Sequence, residues 1–220
     1  MKTIIFGASG MVGMGALLEC LDDVRVDSVL VIGRSPCGVK HSKLTEVIHK
    51  DFYNFTSIQN HFIDCNACFF CLGTSAAGKT EGEYHHQTYD LTMAAAQSMH
   101  AANPNMTFCY VSGEGTDSTE KGRIMWARVK GKTENALLRL FNKAYMFRPG
   151  FIQPMRGEKS KTYGWLYVVL RPVAPLFRLL FPKMSTTTIN VARAMLRVSL
   201  HGDPQKLLNT VEINRVAAIS

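Results

Sequence analysis

Seven residues near the start of the chain carry the first chemical signal. Gly7-Ala-Ser9-Gly10-Met11-Val12-Gly13 lies between a β-branched and aromatic run, Thr3–Phe6, and a stretch with helical spacing, Met14–Leu21. At this spacing the first glycine permits a tight turn, the second lets backbone close on a pyrophosphate, and the third lets the helix pack against the strand. The free N–H groups of the helix start then face the phosphates. The competing reading is an ordinary glycine-rich turn. Arg34 adds a second signal, directly after the second apolar run, in Gly33-Arg34-Ser35. An acid at that strand end would bond a ribose 2′-hydroxyl, whereas an arginine pairs with a 2′-phosphate. With no acid there, NADP(H) is expected over NAD(H). The plain alternative is a solvent-facing arginine.

Other reactive residues read as structural. Cys65, Cys68 and Cys71 space as C-x-x-C-x-x-C, but no second well-spaced pair completes a zinc set. Cys68 and Cys71 sit in the apolar run Ala67–Leu72, and residues three apart on a strand face opposite sides. No metal is expected. Free buried thiols point to a reducing compartment, and a cytoplasmic location is expected. His85 and His86, adjacent at a helix start, diverge around the helix and read as exposed capping rather than joint ligands. Tyr89-Asp90 reads as core or subunit packing, with support of the site as its functional alternative. Thr186-Thr-Thr188 reads as a helix cap before Ile189.

These residues must be positioned by a regular series of elements. Apolar runs at Ser28–Ile32, Glu46–His49, Ala67–Leu72, Met106–Val111 and Ala144–Phe147 alternate with helical patterns at Ser57–Ile63, Tyr84–Ala102 and Ile124–Phe141. Strands alternating with helices imply a parallel sheet covered on both faces, and continuous apolar runs fit strands buried on both sides. The expected fold is α/β: a doubly wound Rossmann sheet over 1–154 with a small helical cap over 155–220, in one domain. Ligands of such sheets bind beyond the carboxyl ends of the strands. The segment Trp165–Phe181, broken by Pro172 and Pro175, reads as a substrate-side lid, with a membrane-surface segment as the alternative. Thr186–Leu200 is a further helical pattern.

Charge narrows the partners. The chain of 220 residues has a formal net charge of +8. Residues 151–220 hold ten Lys/Arg against three Asp/Glu, so the basicity belongs to the last third. A solvated basic face, a pocket for phosphorylated ligands and contact with an anionic membrane are the three readings. No zinc finger, basic heptad helix or RNP-like strand is present, and nucleic acid is not an expected partner. The first apolar run is too short and glycine-rich for a signal peptide, and no stretch reaches the ~20 apolar residues of a membrane span.

Taken together, Gly7–Gly13, Val31-Ile-Gly-Arg34, Asp51-Phe52, Phe70-Cys-Leu-Gly-Thr74, Tyr110-Val-Ser112, Val129-Lys-Gly-Lys-Thr-Glu134 and Arg148-Pro-Gly150 resemble the short-chain dehydrogenase/reductase superfamily in its atypical branch. Small Tat-interacting-protein-like and divergent epimerase-like oxidoreductases are the nearest in kind. The resemblance implies that Asp51 and Phe52 lie beside the adenine, and that Leu72, Gly73 and Thr74 line the cofactor ribose. It implies that Ser112 orients a carbonyl, that Lys130 holds the nicotinamide ribose, and that Pro149, Gly150 and Ile152 lie near the nicotinamide. The family's Tyr-x-x-x-Lys reads here as Trp126-Ala-Arg-Val-Lys130. An indole donates a hydrogen bond but does not ionise in this range, so Trp126 cannot shuttle a proton. Three explanations follow: another donor (Glu114, Tyr163 or water), a conjugated or quinone-like acceptor needing little proton help, or a domain that binds cofactor without turnover. Helices such as Tyr84–Ala102 and Ile124–Phe141 often pair between subunits in the resembled family, which implies a homodimer; burial within one chain is the alternative.

Overall fold

A computed structural model describes residues 1–157 and 183–219. Seven parallel strands form one sheet: β1 (Lys2–Phe6), β2 (Ser28–Gly33), β3 (Leu44–Ile48), β4 (Ala67–Phe70), β5 (Thr107–Val111), β6 (Ala144–Arg148) and β9 (Leu207–Asn209), in the order β3-β2-β1-β4-β5-β6-β9. Two short strands, β7 (Phe151–Gln153) and β8 (Ser185–Thr187), pair in parallel as a separate sheet. The order reverses between β1 and β4, the point at which such sheets open a crevice for ligands.

Hydrophobic burial explains the layering. Strand residues alternate between two cores. On one face Ile5, Val29, Val31, Phe69 and Phe147 meet Ala16 and Leu17 of α1 (Met11–Asp22), together with Val191, Met195 and Val198 from a helix near the chain end. On the other, Ile4, Phe6, Phe70, Phe108 and Met146 pack with Phe52, Phe55 and Phe62, and with Ala95, Ala96 and Met99. That second layer comprises a 3-10 turn (Thr56–Phe62), α2 (Glu81–His85), α3 (Leu91–Ala102) and α4 (Met125–Leu140). The Ala/Met face of α3 is thus buried within the chain.

The structure corrects the sequence reading in several places. Residues 183–219 are not a cap: α5 (Thr188–His201) and α6 (Thr210–Ala217) complete one helical layer, and β9 adds the seventh strand beside β6. Strands of three residues, β7 to β9, leave too short a pattern to read. Thr186 lies in β8, and Thr187 alone is the helix cap, its hydroxyl accepting from Asn190 N at 3.0 Å. The third strand lies at Leu44–Ile48 rather than Glu46–His49. The histidine pair is not at a helix start. A capping box at Thr80 and Glu83 begins α2, and the helix continues through a π turn at His86–Asp90 into α3. Both imidazoles reach Asp90, at 3.3 and 3.0 Å, across this wider turn. Cys68 and Cys71 do point into opposite cores. Trp165–Phe181 and Tyr163 lie outside the described residues. Among the described residues no helix is long and apolar enough to cross a membrane.

Candidate functional site

The glycine turn is a cradle with no room for side chains where the chain crosses itself. Gly7 adopts φ +80°, a conformation that L side chains rarely take. A Cβ at Gly13 would stand 2.1 Å from the Gly7 carbonyl oxygen, so only hydrogen fits between strand and helix. Around Gly10 a Cβ would meet little beyond the same oxygen at 3.3 Å, leaving that backbone open to a ligand. Gly10 is also the N-cap of α1; no side chain caps it, and the first turn has no acid. Met11 and Val12 form that first turn. The helix therefore presents unneutralised N–H dipoles, the arrangement that attracts an anion.

A groove of about 380 Å³ runs across the carboxyl ends of the strands. Arg34, Lys50, Asp51 and Phe52 wall one end; Leu72, Gly73 and Thr74 lie between; Tyr84, Tyr110 and Lys130 wall the other. A smaller cleft of about 160 Å³ joins Gly7, Ser9, Gly33, Arg34, Phe52 and Leu72. The sequence-expected cofactor residues from β1, β2, β3 and β4 thus converge. The Arg34 guanidinium stands 5.7 Å from the Phe52 ring centre, and the Asp51 carboxylate accepts from Tyr53 N at 2.9 Å, shaping the β3 turn. Lys79 Nζ donates to Thr74 Oγ1 at 2.5 Å.

At the other end the assignments change. Lys130 reaches the groove from α4 and donates its ammonium hydrogen to the Ser112 carbonyl oxygen. Burial draws its pKa down to about 8, against the Glu134 carboxylate, which acts to raise it. The Ser112 hydroxyl is occupied elsewhere. It is buried and donates to Glu134 Oε1 at 2.5 Å and to the Phe147 carbonyl at 3.1 Å. Facing the lysine instead is Gly113, where a Cβ would lie 3.7 Å from Lys130 Nζ. Its hydrogen leaves that position without a hydroxyl. Trp126 sits one turn before Lys130, its ring centre 5.9 Å from Nζ, and lies outside the groove wall. Pro149, Gly150 and Ile152 are also absent from that wall. Pro149 and Gly150 lie beside Glu114, whose backbone N–H donates to the Pro149 carbonyl at 3.0 Å and whose side chain leaves no space for a Cβ at Gly150. Ile152 is buried in β7, opposite Thr186.

Several wall residues escaped the sequence reading. Lys50 is one residue before Asp51 at the same strand end, which was the available signal. Tyr84 and Tyr110 are buried, yet each shows an edge to the groove. Burial raises both phenol pKa values. Tyr53 stacks on His86, ring centres 4.4 Å apart, and only the folded loop brings them together.

The sheet order, the glycine cradle and the groove at the switch point define a Rossmann fold, the fold of solved epimerases, dehydratases and short-chain dehydrogenases. An oxidoreductase of the short chain dehydrogenase/reductase family from Burkholderia thailandensis superposes with TM-score 0.69 at 13% identity, over 97% of this chain and 92% of that one. The dTDP-glucose 4,6-dehydratase DesIV from Streptomyces venezuelae, solved with NAD and TYD bound, superposes with TM-score 0.67 at 16% identity, over 96% and 75%. No family model matches the chain. Among curated proteins, it is similar to Protein FMP52, mitochondrial, from Meyerozyma guilliermondii, at 27% identity over 230 residues, spanning 99% of this chain and 95% of that protein.

Proposed function

We propose that the chain binds a nicotinamide dinucleotide, NADP(H) in preference to NAD(H), and acts as an atypical short-chain oxidoreductase on a small carbonyl- or quinone-like acceptor. The observation that carries the reading is the cradle: Gly7 and Gly13 exclude side chains at the crossing, and the uncapped start of α1 stands open to a diphosphate. Arg34 and Lys50 at the adenosine end supply two cations for a 2′-phosphate, and the one carboxylate beside them among the groove-lining residues, Asp51, already accepts from Tyr53 N. Lys130 is placed to donate to ribose hydroxyls. When bound, the nicotinamide supplies or accepts a hydride. Among the described residues the usual donor positions are lost: Trp126 does not ionise, Gly113 has no hydroxyl, and the Ser112 hydroxyl is held by Glu134, which leaves the buried phenols of Tyr84 and Tyr110, their pKa values raised by burial, on the groove wall beside Lys130. An acceptor whose product anion is delocalised suits such a site, because water can complete its protonation. A reducing compartment suits the free thiols; the relative named above is mitochondrial by its printed name.

Titration with NADPH and NADH, followed by intrinsic fluorescence and melting temperature, tests the reading. NADPH is expected to bind more tightly. Arg34→Asp should weaken NADPH by ~10-fold or more while changing NADH far less, because the phosphate loses a charge-assisted partner and gains a repulsive neighbour. A protein whose fluorescence and melting are unmoved by either dinucleotide would overturn the proposal.

Trp126 at the usual tyrosine position supports a second reading, a module that senses cofactor without turning it over. Trp126→Tyr separates the two. For an enzyme frame lacking one group, turnover of a carbonyl panel should appear or rise sharply. A module should bind NADPH as before and consume none, and should associate with its partner only when NADPH is present.

A further inference from the structure

Lys130 is tied to the interior of the fold through one residue. Its ammonium donates to the Ser112 carbonyl oxygen, while the hydroxyl of the same serine donates to Glu134 Oε1 at 2.5 Å. Glu134 lies one turn beyond Lys130 on α4 and is fully buried. Arg148, at the end of β6, donates from Nε to both carboxylate oxygens, at 3.0 and 3.1 Å, and again from Nη2. Arg148 Nη2 also reaches Ser118 Oγ at 2.5 Å, in the loop that precedes α4. One carboxylate thus joins the ends of β5 and β6 to the helix that carries the groove lysine.

We propose that Glu134 is the positioning residue of this site: through Ser112 it fixes the carbonyl that receives the Lys130 ammonium, and its carboxylate balances that ammonium's charge. Among the described residues, the charged and titratable groups around the lysine are few. Arg148 stands behind Glu134 on β6, and the phenols of Tyr84 from α2 and Tyr110 from β5 share the groove wall. Glu134 is the anion among these groups. A buried Arg–carboxylate pair adds little net stability of its own, since desolvation offsets the attraction. Its third contact, to the serine that holds Lys130, gives the pair a further role. Removing the carboxylate takes away the anion that acts on Lys130 and leaves two cations, Lys130 and Arg148, beside each other without it.

The effect on ligand binding rests on the dinucleotide reading; the effect on Lys130 does not. The test is therefore made first without ligand, by NMR titration of the lysine ε-carbons in the full chain, with the Lys130 signal identified by its loss in Lys130→Arg. Glu134→Gln keeps an acceptor for Ser112 but removes the charge. It is expected to lower the Lys130 midpoint by about one pH unit or more, and Glu134→Asp should restore most of it. Arg148→Gln keeps hydrogen-bond donors while freeing the carboxylate to act on Lys130, so it should move the midpoint upward. Opposite shifts in the two variants are not expected of a purely structural pair, and a midpoint unmoved in whichever of them folds overturns the inference. The alkaline loss of NADPH binding should follow the midpoint. If the midpoints shift as expected but NADPH binds to no variant at any pH, the dinucleotide reading fails and the positioning role stands.

Discussion

At the scale of single residues, the site is governed by which groups can hold charge in the groove. Lys130 is the informative one. With its pKa drawn to about 8 by burial, it loses its proton as pH rises through that value, and donation to a ribose weakens. NADPH affinity is expected to fall between about pH 7 and pH 9, and Lys130→Met should flatten that profile, as read by fluorescence titration. Stability runs the other way. Above about pH 8 the folded chain gives up a proton that the unfolded chain keeps until the ordinary lysine range, so the unfolded state binds more protons and this lysine's contribution to folding stability increases with pH. A binding curve and a melting curve measured on the same samples should therefore slope in opposite directions. Arg34 and the glycines were legible from residue type and spacing because each answers to a single geometric demand. Ser112 was not. Its position matched, but the direction of its hydroxyl depends on Glu134, 22 residues away, and on the Phe147 carbonyl.

At the scale of elements, the close approaches are more restrictive than the motifs suggest. Gly131, in the second turn of α4, has the Asp117 carbonyl so near that a Cβ would stand 1.8 Å from it. The loop before α4 is thereby laid directly on the helix, and Asp117 organises that loop by accepting from Gly122 N at 2.7 Å and Thr119 Oγ1 at 2.6 Å. Gly131→Ala should push the loop off α4 and cost about 1–3 kcal/mol, the range for overpacking in a well-packed interior; urea denaturation measures it, and a variant as stable as the native chain would show that the loop can yield. Sequence reading found β1, β2, β4, β5 and β6 because strands buried on both faces are continuous apolar runs. It missed β7, β8 and β9, three residues each, whose identity depends on what they lie beside. It missed the π turn at His86–Asp90 for a related reason: the helical spacing continues through it, and the extra residue in the turn leaves no mark on composition.

At the scale of the whole molecule, residues 183–219 extend the sheet and its helical layer. α5 packs on α1, and the solvent-exposed edge of that contact carries an ion network: Arg193 Nε donates to Glu19 at 3.1 Å, and Arg156 Nη1 donates to Glu19 at 3.3 Å and Asp22 at 2.7 Å. Part of the basic excess read from the sequence is thus neutralised within the fold, by acids from the first helix. The sheet order has a consequence for synthesis. β1 precedes the other strands in the chain but finishes in the centre of the sheet, bonded to β2 on one edge and to β4 on the other. β4 begins at Ala67, so at ~5–20 residues per second the Ile4-Ile5-Phe6 edge waits several seconds for its second partner. An open apolar edge of that kind templates aggregation. A fragment ending at residue 60 should scatter light at concentrations where the full chain stays clear; a clear fragment solution would mean that something other than β4 shields the edge in the nascent chain.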